Sequence, residues 1–202
     1  GMQIMCYDLS AGENAATVYA MEEEAFTEGE IGMGGDRLFF TQMNPDTVGG
    51  SIFSYDINTG ERAQIAAGFS LAVSPDGQRM AVTGIVTDEE TGAQGYCLQV
   101  VEADGTAQTI AENQGVVVDC AWSLNGWRLY YTLHHDASQL EEAYPLGLYC
   151  YDTATGQSRY LMDAVTGALY PDSAEDSVLM MVLYNQMGRS IPITYRVALP
   201  AG

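Results

Sequence analysis

Short apolar runs recur along the chain, and each follows a tight polar turn rich in glycine and aspartate. The apolar residues stand at consecutive positions, which is typical of strands buried on both faces. These runs lie at 38–40, 80–82, 129–131 and 178–181. The pattern therefore predicts four buried β-strands, one in each of four repeated units.

A further strand and a hairpin complete three of these units. Strands at 52–56, 96–102 and 148–152 end in an acid and run into glycine hairpins. The hairpin glycines are Gly60, Gly105 and Gly156, and an aliphatic residue stands five positions after each: Ile65, Ile110 and Leu161. Glycine supplies the positive φ that short hairpins need. We name the four strands of a unit a to d, with the polar turn between a and b and the glycine hairpin between c and d.

The spacing of the units predicts the architecture. The a–b turn glycines Gly35, Gly77 and Gly126 are 42 and 49 residues apart, which is typical of propeller blades of about 40 to 50 residues. With 22 glycines and no long helical periodicity, the chain is predicted to be an all-β propeller whose blades are four-stranded and antiparallel. We expect one domain over residues 1–202. Its parts are a half blade at 2–20, blades at about 28–66, 69–111 and 116–162, and a partial blade at 167–199.

The incomplete terminal units leave three arrangements open. If the amino-terminal c and d strands complete the last blade, the ring has four blades and a surplus strand. If nothing is shared, there are five blades, two of them incomplete. In the third arrangement the chain is part of a larger propeller, or two copies complete each other as a homodimer through their open blade edges. Unpaired sheet edges are a liability in each case.

One turn resembles a known family. The segment from Ala72 to Val82 contains Ser74-Pro75-Asp76-Gly77 and resembles the a–b turn of the WD40-like (PD40) repeats in TolB-type propellers. The strands that end in Tyr55-Asp56 and Tyr151-Asp152 resemble that family's c–d hairpin. The resemblance implies a propeller used in exported or cell-surface bacterial proteins, or as the non-catalytic part of peptidases. It implies no shared active site, because fold does not fix function.

The charge of the chain restricts its partners. There are 27 acids against seven arginines, and the net charge is −20. Long-range repulsion disfavours nucleic acid and anionic membranes as partners. The same negative charge attracts a basic protein or peptide. No run of 18 apolar residues occurs, so no insertion into a membrane is expected.

In a propeller the b–c and d–a connections share one face, here the loop face, and the a–b and c–d turns share the other, the turn face. The loop face holds more than half of the 27 acids and the long connections 84–95 and 133–147. Long loops on a rigid scaffold commonly bind ligands. The candidate binding face therefore comprises Asp88, Glu89, Glu90, His134, His135, Asp136, Glu141 and Glu142. No cofactor is expected, apart from calcium on these acidic loops.

Residues for catalysis are scarce. With two histidines and no Gly-x-Ser-x-Gly motif, a Ser-His-Asp site has almost nothing to be built from. Adjacent His134 and His135 point apart and lack a spaced third ligand, so an ordinary loop is favoured over a metal site. We predict no catalytic, cofactor-binding or metal residues, and no enzyme activity.

The cysteines and tryptophans are expected to be mainly structural. Cys6, Cys97, Cys120 and Cys150 fall in predicted strands without Cys-x-x-Cys spacing, so buried free thiols are expected. Trp122 is expected in the core, whereas Trp127, which follows an Asn-Gly turn, is expected to be partly exposed.

Two functions fit these observations. The first is a non-catalytic module for protein or ligand binding in an exported or cell-surface bacterial protein. The second is a propeller that binds or processes glycans or peptides on its acidic loop face. The intact repeats and the missing catalytic residues favour the first.

Overall fold

The computed structural model describes residues 3–6, 16–20, 31–43, 49–87, 90–92, 94–112, 116–134, 147–163, 167–174, 176–186 and 189–199. Within these residues the regular structure consists of seventeen β-strands in five antiparallel sheets. None of the described segments forms a helix with the length and apolarity needed to cross a bilayer.

Each sheet contains strands that are consecutive in the sequence. Sheet 1 contains β1 (Gln3–Cys6) and β2 (Ala16–Ala20). Sheet 2 contains β3 (Ile31–Gly34), β4 (Arg37–Met43), β5 (Gly50–Asp56) and β6 (Arg62–Ala67). Sheet 3 contains β7 (Phe69–Val73), β8 (Arg79–Thr87), β9 (Gln94–Glu102) and β10 (Ala107–Glu112). Sheet 4 contains β11 (Val116–Trp122), β12 (Arg128–His134), β13 (Gly147–Asp152) and β14 (Gln157–Met162). Sheet 5 contains β15 (Gly167–Pro171), β16 (Ser177–Gln186) and β17 (Arg189–Ala198).

The sheets follow one another through their first strands. Strand β7 contacts β3 on one side and β11 on the other, and β11 also contacts β15. Every sheet is an up-and-down meander in which the strand order equals the chain order. Strands β3, β7, β11 and β15 therefore occupy position a, and the later strands of each sheet lie progressively further from this shared row.

A separate apolar core fills each gap between neighbouring sheets. Strand β12 shows why strand b is apolar at consecutive positions. Leu129, Tyr131 and Leu133 lie in the core shared with sheet 3, whereas Tyr130 lies in the core shared with sheet 5. Each such side chain contributes about 1.5–3 kcal/mol when it is fully buried. The sheets are thus held together chiefly by their second and third strands.

The aliphatic residue five positions after the hairpin glycine forms a β-bulge. In the pairing of strands c and d, Ile65, Ile110 and Leu161 have no Cα partner, because the register shifts by one at each. The extra residue lets this side chain pack against the core shared with the next sheet. The register between β1 and β2 shifts at Val18 in the same way, so sheet 1 has the geometry of a c–d hairpin.

The first and last sheets are incomplete and separate. Within the described residues β1 pairs only with β2, and sheet 5 ends at β17. Ile4 of β1 packs against Leu38 and Phe40 of sheet 2, which places sheet 1 before sheet 2. The four-bladed alternative, in which β15 and β16 pair with the amino-terminal strands, is therefore not the described arrangement.

Candidate functional site

The binding face predicted from the sequence lies mostly outside the described residues. Six of its eight residues lie outside the described part of the chain: Asp88, Glu89, His135, Asp136, Glu141 and Glu142. Of the two others, Glu90 is exposed and His134 is half-buried at the end of β12. The acidic loop face and its calcium site remain predictions. No cluster of three or more His, Cys, Asp or Glu side chains is placed to hold a metal within the described ranges.

The structure describes the opposite, turn face in detail, beginning with the a–b turn of sheet 3. The Ser74 hydroxyl donates to Asp76 Oδ1 (2.6 Å) and accepts from the Arg79 N–H (2.9 Å). The Gln78 N–H donates to the same Asp76 oxygen (3.0 Å). Partial burial raises the pKa of Asp76, but these donors and the Arg79 charge outweigh it, so the pKa lies below its ordinary value. The Ser-Pro-Asp-Gly motif is therefore a closed hydrogen-bonded turn.

The same network forms in sheet 4 without a charge. The Ser123 hydroxyl donates to Asn125 Oδ1 (2.7 Å) and accepts from the Arg128 N–H (3.0 Å). The Trp127 N–H donates to Asn125 Oδ1 (3.1 Å). Since the amide does what the carboxylate does in sheet 3, these side chains stabilise the turn in both sheets.

A polar cleft of about 260 Å³ opens beside these turns, between sheets 3 and 4. Arg79 donates through Nη1 to the Gly126 carbonyl (3.0 Å), and its Nε lies 3.7 Å from Glu102 Oε1. On the far wall the Tyr151 hydroxyl donates to Gln108 Oε1 (2.9 Å). Burial is the main reason why the pKa of Tyr151 is raised. The arginine and the tyrosine already have partners, so the cleft offers hydrogen-bonding groups that are held in place.

A second cleft, of about 380 Å³, lies between sheets 2 and 3 on the same face. Its lining includes Arg37, Gln78 and Asp104, and it shares Glu102 with the first cleft. The two clefts therefore flank the end of β9 from either side.

The a–b turn of sheet 4, whose Gly126 carbonyl accepts from the cleft residue Arg79, carries two exposed apolar side chains. Trp127 is 65% exposed and Leu124 is 53% exposed, and both belong to the a–b turn of sheet 4. The backbone N–H and the hydroxyl of Thr153, which lines the cleft, both donate to the Trp127 carbonyl at 3.0 Å. We name this surface the turn-face patch, and it consists of Leu124, Trp127 and the cleft residues Arg79, Glu102, Gln108, Tyr151 and Thr153.

The expectations for the tryptophans and for three cysteines are confirmed. Trp122 is buried, and its Nε1 donates to the Ala72 carbonyl (3.3 Å) of the neighbouring sheet. Cys97, Cys120 and Cys150 are buried and are not in a disulfide, while the Cys6 side chain is outside the described part. The sequence indicated an exposed Trp127 but not the patch, because the cleft forms only where Arg79 reaches the turn of the next sheet.

Several solved structures are similar to this chain. The β-propeller domain of the trilobed protease from Pyrococcus furiosus, which has an open velcro topology, aligns with a TM-score of 0.61 and 12% identity over 86% of this chain and 54% of its own. TolB from Acinetobacter baumannii aligns with a TM-score of 0.55 and 14% identity, over 99% of this chain and 49% of its own. A prolyl endopeptidase aligns with a TM-score of 0.64 and 11% identity, over 94% of this chain and 30% of its own.

The chain has a β-propeller fold. Its five sheets are blades or parts of blades, the predicted all-β class is confirmed, and the TolB-like resemblance holds at the level of the fold. No family model and no curated protein matches the sequence. The chain spans about half of the first two structures and less than a third of the endopeptidase. In the peptidases, the part that matches is the non-catalytic propeller.

Proposed function

We propose that this propeller is a non-catalytic module that binds a protein or peptide partner through the turn-face patch. The observation that carries the proposal is the pairing of an exposed tryptophan and leucine with a polar cleft. Tryptophan, tyrosine and arginine are enriched among the residues that dominate binding energy in protein interfaces. The cleft adds fixed donors and acceptors that give such a contact its orientation.

The charge of the chain selects the kind of partner. The net charge is −20, and both clefts contain Glu102, joined by Asp104 in the second. Arg79 is engaged by Glu102 and the Gly126 carbonyl, so its charge is largely compensated. A segment that carries lysine or arginine next to an apolar side chain therefore complements this surface. The acidic loop face predicted from the sequence is a second surface of the same sign, and the experiment must separate the two.

The resemblance to TolB-type repeats supports a place outside the bacterial cytoplasm, in an exported or cell-surface protein. Similarity to the propellers of peptidases supports the same non-catalytic role. Only the non-catalytic propeller part of those peptidases matches this chain.

A displayed random-peptide library, selected on the immobilised full chain, tests the proposal. Binders should be rich in lysine and arginine and should lose at least about tenfold in affinity on Trp127→Ala, since truncating an interface anchor costs more than about 1.4 kcal/mol. Tyr96→Ala is the matched control, because Tyr96 is also an exposed aromatic, at 40%, but lies outside the patch. The same peptides should bind the Tyr96→Ala variant with unchanged affinity.

The remaining outcomes are distinct. Binders that ignore Trp127→Ala but fail on a variant with Asp88, Glu89 and Glu90 neutralised would move the site to the loop face. A calcium titration of that same variant tests the predicted cation site. An absence of any binder contradicts the binding function, and hydrolysis of a chromogenic glycoside or aminoacyl substrate contradicts the non-catalytic role.

A further inference from the structure

Strand β17 is a long sheet edge. It has ten residues, and within the described part of the chain it pairs only with β16. In sheets 2, 3 and 4 the equivalent strand c is covered by a strand d. Nine of the ten β17 residues are exposed. An exposed, apolar edge of this length is a ready template for pairing with another strand.

The hydrogen bonds show which backbone groups point outward. The Leu199 N–H donates to the Asp176 carbonyl (2.7 Å), and the corresponding bond is present in sheets 2, 3 and 4. Bonding direction alternates along an antiparallel strand. Thr194, Arg196 and Ala198 therefore direct their N–H and C=O groups away from β16. Thr194 and Arg196 are the counterparts of strand c positions that bond to strand d in the complete sheets.

The outer face of sheet 5 differs from that of the complete sheets. By the register of strands b and c, Thr194 is equivalent to Ile52, Leu98 and Leu148, all fully buried under the next sheet. Here the side chain is a threonine, and it is exposed. Met181 of β16, which pairs with Thr194 and lies on the same face, is half-buried. The polar replacement therefore lies in the edge strand itself.

The edge also carries an apolar stripe without an acid. Ile191, Ile193 and Tyr195 alternate along β17 and are exposed. The charged residues of the strand are Arg189 and Arg196, and Arg196 is paired with Asp172. In a chain of net charge −20 this is a locally uncharged to basic surface, so two copies meet here with little local repulsion.

We propose that β17 pairs with β17 of a second copy, antiparallel and around a two-fold axis, to form one continuous six-stranded sheet. A two-fold axis requires a self-complementary strand. Centred on Tyr195, the pairing sets the two Tyr195 residues opposite each other and places Ile193 opposite Val197 on both sides. The outward groups of Thr194 then meet those of Arg196 in hydrogen-bonded pairs.

Pro192 fits this register. Proline has no N–H and is confined to edge strands or to positions whose N–H is not needed by the sheet. Residue 192 points outward by the alternation above, so the β16 ladder loses nothing. In the dimer it lies opposite Ala198, at the margin of the paired segment, where it removes one bond and limits the length of the pairing.

Disulfide trapping tests the register in the full chain, with Cys6→Ser as background. Opposed residues in a non-hydrogen-bonded antiparallel pair have Cα atoms about 4.5 Å apart, within the range that a disulfide needs. Tyr195→Cys should therefore form a covalent dimer under mild oxidation. Ile191→Cys is the matched control, because its two copies would lie eight residues apart along the strand, about 26 Å. It should remain monomeric on a non-reducing gel.

Sedimentation measures the association without a crosslink. The unmodified chain should form a dimer that strengthens with salt, because the net charges of the two copies repel each other. Thr194→Pro removes an outward N–H without touching the β16 ladder and should give a monomer, whereas Thr194→Val should remain a dimer. A monomeric parent chain, or trapping at 191 but not at 195, overturns the proposal.

Discussion

The close approach of sheets 2 and 3 makes Gly77 the most sensitive glycine of the a–b turns. Gly77 has φ +67°, and a Cβ on it would lie 2.0 Å from the Gly34 carbonyl oxygen. Gly126 occupies the same place in the next turn, with φ +72°, but a Cβ there would meet nothing closer than 3.8 Å. The two glycines share the strained backbone and differ in the steric contact.

Substitution by alanine separates these two effects. Alanine in the left-handed region costs about 1–2 kcal/mol, which is the whole expected effect of Gly126→Ala. At Gly77 two backbones must also separate by more than 1 Å, as neither can rotate away. Such overpacking typically costs about 1–3 kcal/mol, and the core of Phe39, Met80 and Val82 between the sheets loses contact. Gly77→Ala should therefore destabilise by about 2–5 kcal/mol in total.

Urea unfolding followed by tryptophan fluorescence measures both variants. Trp122 is buried between sheets 3 and 4 and reports on the loss of packing. Gly34→Ala tests the contact from the other side, since its Cβ would lie 2.4 Å from the Gly77 Cα. Equal losses for Gly77→Ala and Gly126→Ala, with no loss for Gly34→Ala, would refute the close approach.

Three further predictions concern single side chains and use the same unfolding assay or mass spectrometry. Thr83 Oγ1 is buried without a hydrogen-bond partner among the described residues, so Thr83→Val should leave stability unchanged or raise it. By contrast, Ser123→Ala opens its turn and should lower the free energy of unfolding by about 1–3 kcal/mol. The Ser177 hydroxyl, and to a smaller extent the Arg196 guanidinium, lowers the pKa of Asp172 to about 2. The ionised carboxylate therefore stabilises the fold above the ordinary carboxyl pKa, and this stabilisation is lost as pH falls towards 2. The stability advantage of the parent chain over Asp172→Asn should shrink between pH 5 and pH 2. Burial raises the pKa of Cys97, and that of Cys150 to about 12, so peptide mapping should find both thiols unalkylated by iodoacetamide until the chain unfolds.

The repeat was predictable from the sequence because it depends on interactions between residues that are close in the chain. A turn glycine, a doubly buried strand b and an aliphatic residue after the c–d hairpin each have a local physical cause. The spacing of Ile65, Ile110 and Leu161 marked strand d correctly, and the structure adds that each is a bulged residue. Alternation alone would have placed these side chains on the wrong face.

The features that could not be predicted depend on contacts between sheets. Nothing in the Gly34-Gly35 turn indicates that its backbone lies against Gly77 of the next sheet. Asn125 stands where the turn of sheet 3 has Asp76, and its amide forms the same bonds as that aspartate. The turn-face patch likewise arises from Arg79 crossing to the Gly126 carbonyl.

The two proposed surfaces restrict each other geometrically. Strand β17 ends at the turn face, because Ala198 pairs with Ser177 beside the a–b turn. Antiparallel pairing of two such strands sets the turn faces of the two copies in opposite directions. A dimer formed in this way cannot place both turn-face patches on one flat surface, so it gains no avidity there. It can instead link two separate partners, one at each end. We therefore expect each chain to bind one partner. The dimer and the Thr194→Pro variant should bind a surface densely coated with the partner with equal affinity.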